Sequence, residues 1–415
     1  MNRSVVVKEE NKGYFGPIMF SLWLLSVLAN SLITRFFLRG ENGAVMILLF
    51  VGLVWPLVLF LFSRQFKCVI PRLLVDRPML FFLFLYGICN FLSIFKSAEP
   101  FISLGYLASI LIGIILAYSF SSSLDDNEMA LGLVIYGVFA SVILVVYASY
   151  LGTDIFGRLN SDGLLNPNSL GMIAVSAIMA GFLSRRKLIL FLAIIPSGYV
   201  LMQSSSRASM LGLIVGLIVW ILAKKKRKIN YRTMSLYCFL LVAVVLTFAI
   251  YNRNINNFIE GIFYLHDRYR GLYSGASGRF EAWSEAWSIF LSSPVIGVGY
   301  RMHELYMTFT SSAHNGFLSI LADTGIMGII PVFYLIYKSF KGYIMSVRNT
   351  FAPWAISVLT AYFCVGMFER YLLNIGNSMS LLVIVLFVRG LGYKVKMLDR
   401  DEDPLNEKIV ISRCT

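Results

Sequence analysis

Three short stretches put charged or polar side chains where an apolar chain rarely keeps them. Gln203-Ser204-Ser205-Ser206-Arg207 joins two apolar runs, Arg279 opens an aromatic segment, and His314-Asn315 follows Ser311-Ser312 at the start of a further run. An arginine between apolar spans is costly unless it snorkels, pairs or binds something. Arg207 can snorkel at a helix end, the serines beside it can cap the next helix, and Arg279 can anchor to anionic headgroups. The chemical alternative starts from the guanidinium fork, which binds phosphate oxygens bidentately and stays charged at any physiological pH. His314 is an interfacial histidine by default. At a helix N-terminus, however, partial positive charge disfavours imidazolium, and a neutral ring can act as a general base. Two arginines and a neutral histidine suit transfer of a group from a lipid-linked phosphate or pyrophosphate to an alcohol, with the lipid tail held between helices. No Asp-x-Asp or His-x-His accompanies these residues in the same loops, so the expected mechanism uses no metal and no cofactor.

The elements that must position these residues are transmembrane helices. The chain of 415 residues is 58% hydrophobic and 14% charged, with mean hydropathy +0.75, more apolar surface than a soluble core absorbs. Runs of spanning length fall near residues 14–34, 43–62, 79–95, 101–120, 129–151, 169–184, 188–203, 209–223, 233–251, 315–337, 351–372 and 375–393. They predict an all-α, polytopic membrane helix bundle of about 12 transmembrane helices. The organisation expected is a cytoplasmic tail (1–13), nine spans (14–251), a periplasmic loop (252–313), three spans (314–393) and a second cytoplasmic tail (394–415). The first apolar run is long enough to be an anchor rather than a removed signal.

The net charge of +14 follows the topology. With the N-terminus cytoplasmic, 25 of the 36 Lys and Arg fall inside and 11 outside, while the 22 acidic residues divide equally. Arg185-Arg186-Lys187, Lys224 to Lys228 and Lys338, Lys341 and Arg348 set this orientation from short loops. Orientation alone therefore accounts for the basic runs, and nucleic acid is not an expected partner. The five cysteines, Cys68, Cys89, Cys238, Cys364 and Cys414, lie outside the large loop and give it no disulfide framework.

That loop is long enough to imply function. It and its exit carry all three histidines, His266, His303 and His314, with Arg253, Arg268, Arg270, Arg279 and Arg301. From Arg279, Trp283 and Trp287 stand at i, i+4 with Phe290 a turn further, an amphipathic helix introduced by Ser277-Gly278 and stopped before Pro294. Its aromatic face is expected to lie flat on the outer leaflet.

Further residues divide between structure and chemistry. Asp323, inside a span, is expected to orient a neighbour such as an arginine. Glu369-Arg370 reads as a local ion pair or part of a substrate site, with the ion pair favoured. Gly297 and Gly299 suit a tight turn after Pro294, Gly325 and Gly328 suit close packing of a span on its neighbour, and Asn166-Pro167 suits an N-cap with proline at the first helical position. The acidic run Asp399, Asp401, Glu402 and Asp403 reads as a solvated tail.

Several of these stretches together resemble the O-antigen ligase and polymerase superfamily of bacterial envelopes. The matching segments are Ser204 to Ser209, Ser277 to Trp283, Pro294 to Gly299, Ala313-His314-Asn315-Gly316-Phe317 and Asp323 to Gly328, with Leu165 to Gly171 a weaker sixth. They cover roughly residues 160–330. The resemblance implies a GT-C-like membrane glycosyltransferase acting on undecaprenyl-diphosphate-linked glycans at the periplasmic face. By motif position, Arg207 and Arg279 hold the diphosphate and stabilise it as leaving group. His314 activates the acceptor hydroxyl, giving inversion at the sugar C1. Supporting roles fall to Asn315, Asp323, Ser206, Glu369, Arg370 and Asn168.

The first expectation is an O-antigen polymerase, which joins lipid-linked repeat units. The alternative is a ligase, which moves the finished glycan to lipid A-core in lipopolysaccharide. A transporter or flippase is the reading from another class, weakened because the spans before residue 160 are almost free of ionisable groups. Expected partners are the undecaprenyl-diphosphate-linked donor, one of those two acceptors, membrane lipids and a chain-length regulator. The expected location is the bacterial inner membrane with both termini cytoplasmic.

Overall fold

In the computed structural model of this chain, residues 14–37, 69–153, 158–160, 165–224, 275–310, 312–346 and 350–402 are described. The runs expected at 43–62 and 233–251 lie outside them, as do His266, Arg253, Arg268 and Arg270. Among the described residues the fold is all-helical, without a β-strand beyond one isolated bridge between Thr153 and Leu159.

The chain forms α1 (Phe15–Phe37), a short α2 (Val69–Val75), α3 (Arg77–Ile94), α4 (Pro100–Ser123), α5 (Asp126–Leu151), α6 (Pro167–Gly181), α7 (Lys187–Ser204), α8 (Arg207–Lys224), α9 (Gly275–Ser292), α10 (Gly316–Met345), α11 (Phe351–Gly366) and α12 (Ser378–Glu402). Six of these, α3, α4, α5, α7, α8 and α10, are long and apolar enough to cross a membrane, and α1, α6, α11 and α12 contain shorter apolar stretches. The chain is a polytopic membrane helix bundle.

Local sequence explains where these helices begin. Asn166 accepts the Ser169 N–H at 2.8 Å and Pro167 takes the first helical position of α6. Asp125 and Glu128 close a reciprocal capping box on α5. The bundle core is continuous, with α6 buried along nearly all its length between α5, α7, α8 and α12. Small residues let helices approach closely: a Cβ at Gly212 would sit 2.9 Å from the Ala361 carbonyl oxygen, and one at Gly137 would sit 3.0 Å from that of Ala177.

The bundle has two chemically distinct ends. Arg185, Arg186, Lys187, Lys224, Lys338 and Lys341 mark one. The other gathers the starts of α6, α8 and α10, the α11–α12 connection, and the turn between α3 and α4. Among the described residues, the non-glycine positions with positive φ are Ser205, Arg301, His314 and Leu373, all at this second end. Left-handed backbone at non-glycine residues is strained and persists where the surroundings over-determine it.

α10 is broken nine residues in. Gly325 takes φ 62° and ψ −162°, which ends one helical segment and starts another. The backbone groups freed by the break pair with the Pro294–Gly299 segment. Val298 and Gly299 N–H donate to the Ala322 and Asp323 carbonyls at 3.0 and 2.9 Å, and Ile326 and Met327 N–H donate to those of Pro294 and Val295 at 2.9 and 3.1 Å. Buried backbone in a membrane protein must find such partners. Glycine is required on both sides: a Cβ at Gly297 would lie 2.3 Å from the Asp323 carbonyl carbon, and one at Gly325 2.3 Å from the Val295 oxygen. Gly297 and Gly299 do turn the chain, with φ 70° and 121°. Gly328 corrects its expectation, because the atom its Cβ would meet is Thr324 Oγ1 on its own helix, which donates to the Ile320 carbonyl.

α9 forms as expected and resets at Gly278, where φ is 76°. It buries Ala282, Ala286, Ile289 and Phe290 and packs on α10, leaving Phe280 and Trp287 exposed and Trp283 half-buried. Of the aromatic residues expected to face the outer leaflet, Phe290 is buried, Trp283 is half-buried and Trp287 is exposed.

Candidate active site

His314 sits immediately before α10. Asn315 caps that helix, accepting the Phe317 and Leu318 N–H groups at 3.0 and 3.1 Å, while His314 takes φ 46°. The half-buried ring has its pKa pushed down to about 4, first by burial and then by the nearby Arg279 and Arg370 guanidiniums, with Glu304 opposing. Burial and the two arginines, rather than the helix N-terminus, favour the neutral ring. His314 Nδ1 is buried without a hydrogen-bond partner.

Arg279 projects from the first turns of α9 into the same cluster. It donates to Glu369 Oε1 at 2.9 Å, and its guanidinium lies 5.6 Å from the Phe368 ring centroid. Glu369 is almost fully buried and also accepts from Asn168 Nδ2 at 2.8 Å. Burial drives its pKa up to about 7 against the pull of Arg279, Arg370 and Arg158. Asn168 Oδ1 in turn accepts from Arg158 at 3.0 Å, and Arg158 Nε donates to the Ser204 carbonyl at 3.0 Å. This chain of bonds runs from Arg279 to the turn that carries Arg207, three residues beyond Ser204. Ser205 closes that turn in the left-handed conformation, and the buried Ser206 hydroxyl donates to Ser209 at 2.9 Å.

One sequence expectation is corrected here and a second gains its partner. Glu369 and Arg370 are chain neighbours but not an ion pair: Glu369 pairs with Arg279, and Arg370 pairs with Glu304. Consecutive side chains in this non-helical connection point apart, so each finds a partner on another segment. Burial works to raise Glu304, but Arg370 and Arg301 outweigh it and hold the carboxylate below its usual range. Asp323, expected to orient a neighbour such as an arginine, holds a histidine: it accepts the His303 backbone N–H and bonds its ring Nδ1, both at 2.8 Å. Arg301 and Arg370 share only a small cavity of about 20 Å³ with Asp323.

Sequence reading missed Arg158, Glu304 and Phe368. Arg158 and Glu304 stood in polar loops with no motif, and nothing set them apart from the other charges of the outer face. Among the described residues no three His, Cys, Asp or Glu side chains form a metal-binding group. The arrangement offers a neutral histidine beside two arginines, each held by a carboxylate, at the mouth of a membrane bundle. It can bind an anionic group and accept a proton next to it.

Residues 188–333 match the O-antigen ligase family. A protein of Rickettsia felis named "Putative polysaccharide ligase" is 22% identical over 210 residues, 47% of this chain and 49% of that protein. A similarly named protein of Rickettsia typhi is 24% identical over 184 residues, 41% of this chain and 44% of its own length. The chain spans about half the length of the curated relatives it matches. The family match runs from α7 into α10, so it includes Arg207, Arg279, His314 and Asp323 and excludes Asn168, Glu369 and Arg370.

Proposed function

We propose that this chain, which belongs to the O-antigen ligase and polymerase superfamily, transfers a glycan from undecaprenyl diphosphate to the hydroxyl of a second lipid-anchored sugar. The observation that carries the reading is the convergence of His314 with Arg279 and Arg370 at the start of α10, where the two guanidiniums contribute to holding the ring neutral. Arg279 and Arg207 bind the diphosphate. His314 takes the acceptor proton as the acceptor oxygen bonds to the sugar C1 from the face opposite the phosphate. The C1–O bond to phosphate breaks, and undecaprenyl diphosphate leaves with its charge held by the arginines. A ring this weakly basic takes the proton late, once C1 has begun to draw electrons from the incoming oxygen. The reading carries with it a GT-C-like bundle of about 12 spans in the bacterial inner membrane. Both termini are cytoplasmic, the loop of residues 252–313 is periplasmic, and so is the site. Asn315, Asp323, Ser206, Glu369, Arg370 and Asn168 support it, and no metal takes part.

The site treats polymerase and ligase alike, because donor and leaving group are the same. The matching family and relatives do not separate the two; the ligase reading has lipid A-core as acceptor. The polymerase reading, with a lipid-linked repeat unit as acceptor and a chain-length regulator as partner, rests on the modest outer loop. A gel of envelope glycans from a strain lacking the gene separates them. Bare lipid A-core with long glycan retained on undecaprenyl diphosphate identifies a ligase. A single repeat on lipid A-core without a ladder identifies a polymerase. An unchanged profile rejects both for that glycan and returns the transporter reading.

A further inference from the structure

Trp283 stands one helical turn beyond Arg279 on the same face of α9. Its ring lies 6.3 Å from that of Phe368, the ring over which the Arg279 guanidinium also sits, and Phe280 meets it edge-on at 5.6 Å. Its indole Nε1 is buried and has no hydrogen-bond partner. An unmet buried donor costs on the order of 1–3 kcal/mol, so native structures usually satisfy it. Trp354 shows the ordinary outcome, donating to the Met179 carbonyl at 2.7 Å. Trp23 Nε1 is also unpaired, but it lies in the packed core beside Phe120, away from the arginine cluster.

The position of Trp283 points to a ligand. An indole N–H donates only, so its complement is an oxygen that accepts only. The neighbouring guanidinium calls for an anion of the same character. Phe368 lies in the connection between α11 and α12, is only partly buried, and covers both the indole and the guanidinium. It is the ring that must yield for a ligand to reach the two donors together.

We propose that Trp283 is a further substrate-binding residue, its indole N–H donating to a phosphate oxygen of the lipid diphosphate held by Arg279, with Phe368 displaced on binding. The proposal rests on the diphosphate-transfer reading and adds a neutral donor to its arginines. The probe is undecaprenyl diphosphate in detergent micelles, bound to the full chain, with undecaprenol as the headgroup-free control. Trp283→Phe, and replacement of Trp283 by the isostere 3-benzothienylalanine, keep the ring and delete the N–H. Both are expected to raise Kd for undecaprenyl diphosphate about tenfold, since a hydrogen bond to a charged group is at stake, while Tm is unchanged or higher and undecaprenol binding is unaltered. Unchanged Kd with the isostere overturns the proposal, as does an equal loss for undecaprenol, which would make Trp283 a wall for the lipid tail. If wild type binds and Arg279→Ala weakens binding while the isostere does not, the Trp283 assignment fails and the function stands. If wild type does not bind undecaprenyl diphosphate, both fail.

Discussion

Glu369 accepts a hydrogen bond from the Arg279 guanidinium at 2.9 Å with only 1% of its own side chain exposed, so a buried carboxyl and a partly exposed arginine 90 residues apart are paired. Burial outweighs the ion pair and leaves the Glu369 pKa raised, to about 7. A carboxyl raised in the folded state binds more protons there than when unfolded. Stability therefore falls as pH rises from the ordinary glutamate value of 4.5 to about 7. Glu369→Gln removes this dependence. Thermal unfolding in detergent should show wild type losing a few °C more than the variant between pH 5 and pH 8. Parallel curves would refute the assignment.

His314 titrates far below an ordinary histidine, at about 4, because burial and two arginines oppose its charge. The acid limb that it imposes on kcat/KM should lie near pH 4 and leave transfer undiminished by His314 at pH 6. His314→Ala should lower kcat by about 10²- to 10⁴-fold, the usual contribution of a positioned base. A limb near pH 6.5 that vanishes in a His314 variant would show the ring exposed and the local geometry wrong.

Most of the described helices were legible in the sequence, and the connections between them were not. The run expected at 188–203 is α7 from Lys187 to Ser204, and 209–223 is α8 from Arg207 to Lys224. The run expected at 351–372 overshoots, because α11 stops at Gly366 and Tyr371, Leu372 and Leu373 are apolar yet non-helical. Hydropathy cannot distinguish a buried connection from a span. It also cannot show that Glu369 turns to Arg279 while Arg370 turns to Glu304, since both partners are remote in sequence. The pairing of Pro294–Gly299 with the break in α10 is made by backbone groups, which leave only glycines as their trace.

Those glycines give a sharp contrast. Gly297→Ala and Gly325→Ala combine positive φ with a Cβ about 2.3 Å from backbone, so each should cost more than about 3 kcal/mol and prevent accumulation of folded protein. Gly198 lies inside α7 with nothing within 4 Å, and Gly198→Ala should be neutral or stabilising by up to about 1 kcal/mol. Fluorescence-detected size exclusion with thermal challenge reads both. Equal behaviour of Gly297→Ala and Gly198→Ala would contradict the described pairing.

Asp323 anchors His303, and the next residue, Glu304, holds Arg370 beside His314. Asp323→Asn keeps an oxygen that can accept both His303 bonds but removes its negative charge, which weakens both. It should lower stability by about 1–3 kcal/mol and reduce transfer without raising the donor KM in proportion. His303→Ala in the same background should add little further loss, because the two residues act as one unit. Fully additive losses would separate them.

The central claim is tested most directly with purified full-length protein, an undecaprenyl-diphosphate-linked glycan and a lipid-anchored acceptor in detergent, measuring release of free undecaprenyl diphosphate. Wild type should release it only when acceptor is present, and His314→Ala should bind donor normally but release at least 10²-fold less. Arg279→Ala should fail at donor binding as well. Acceptor-independent release, or release undiminished in both variants, would contradict the account.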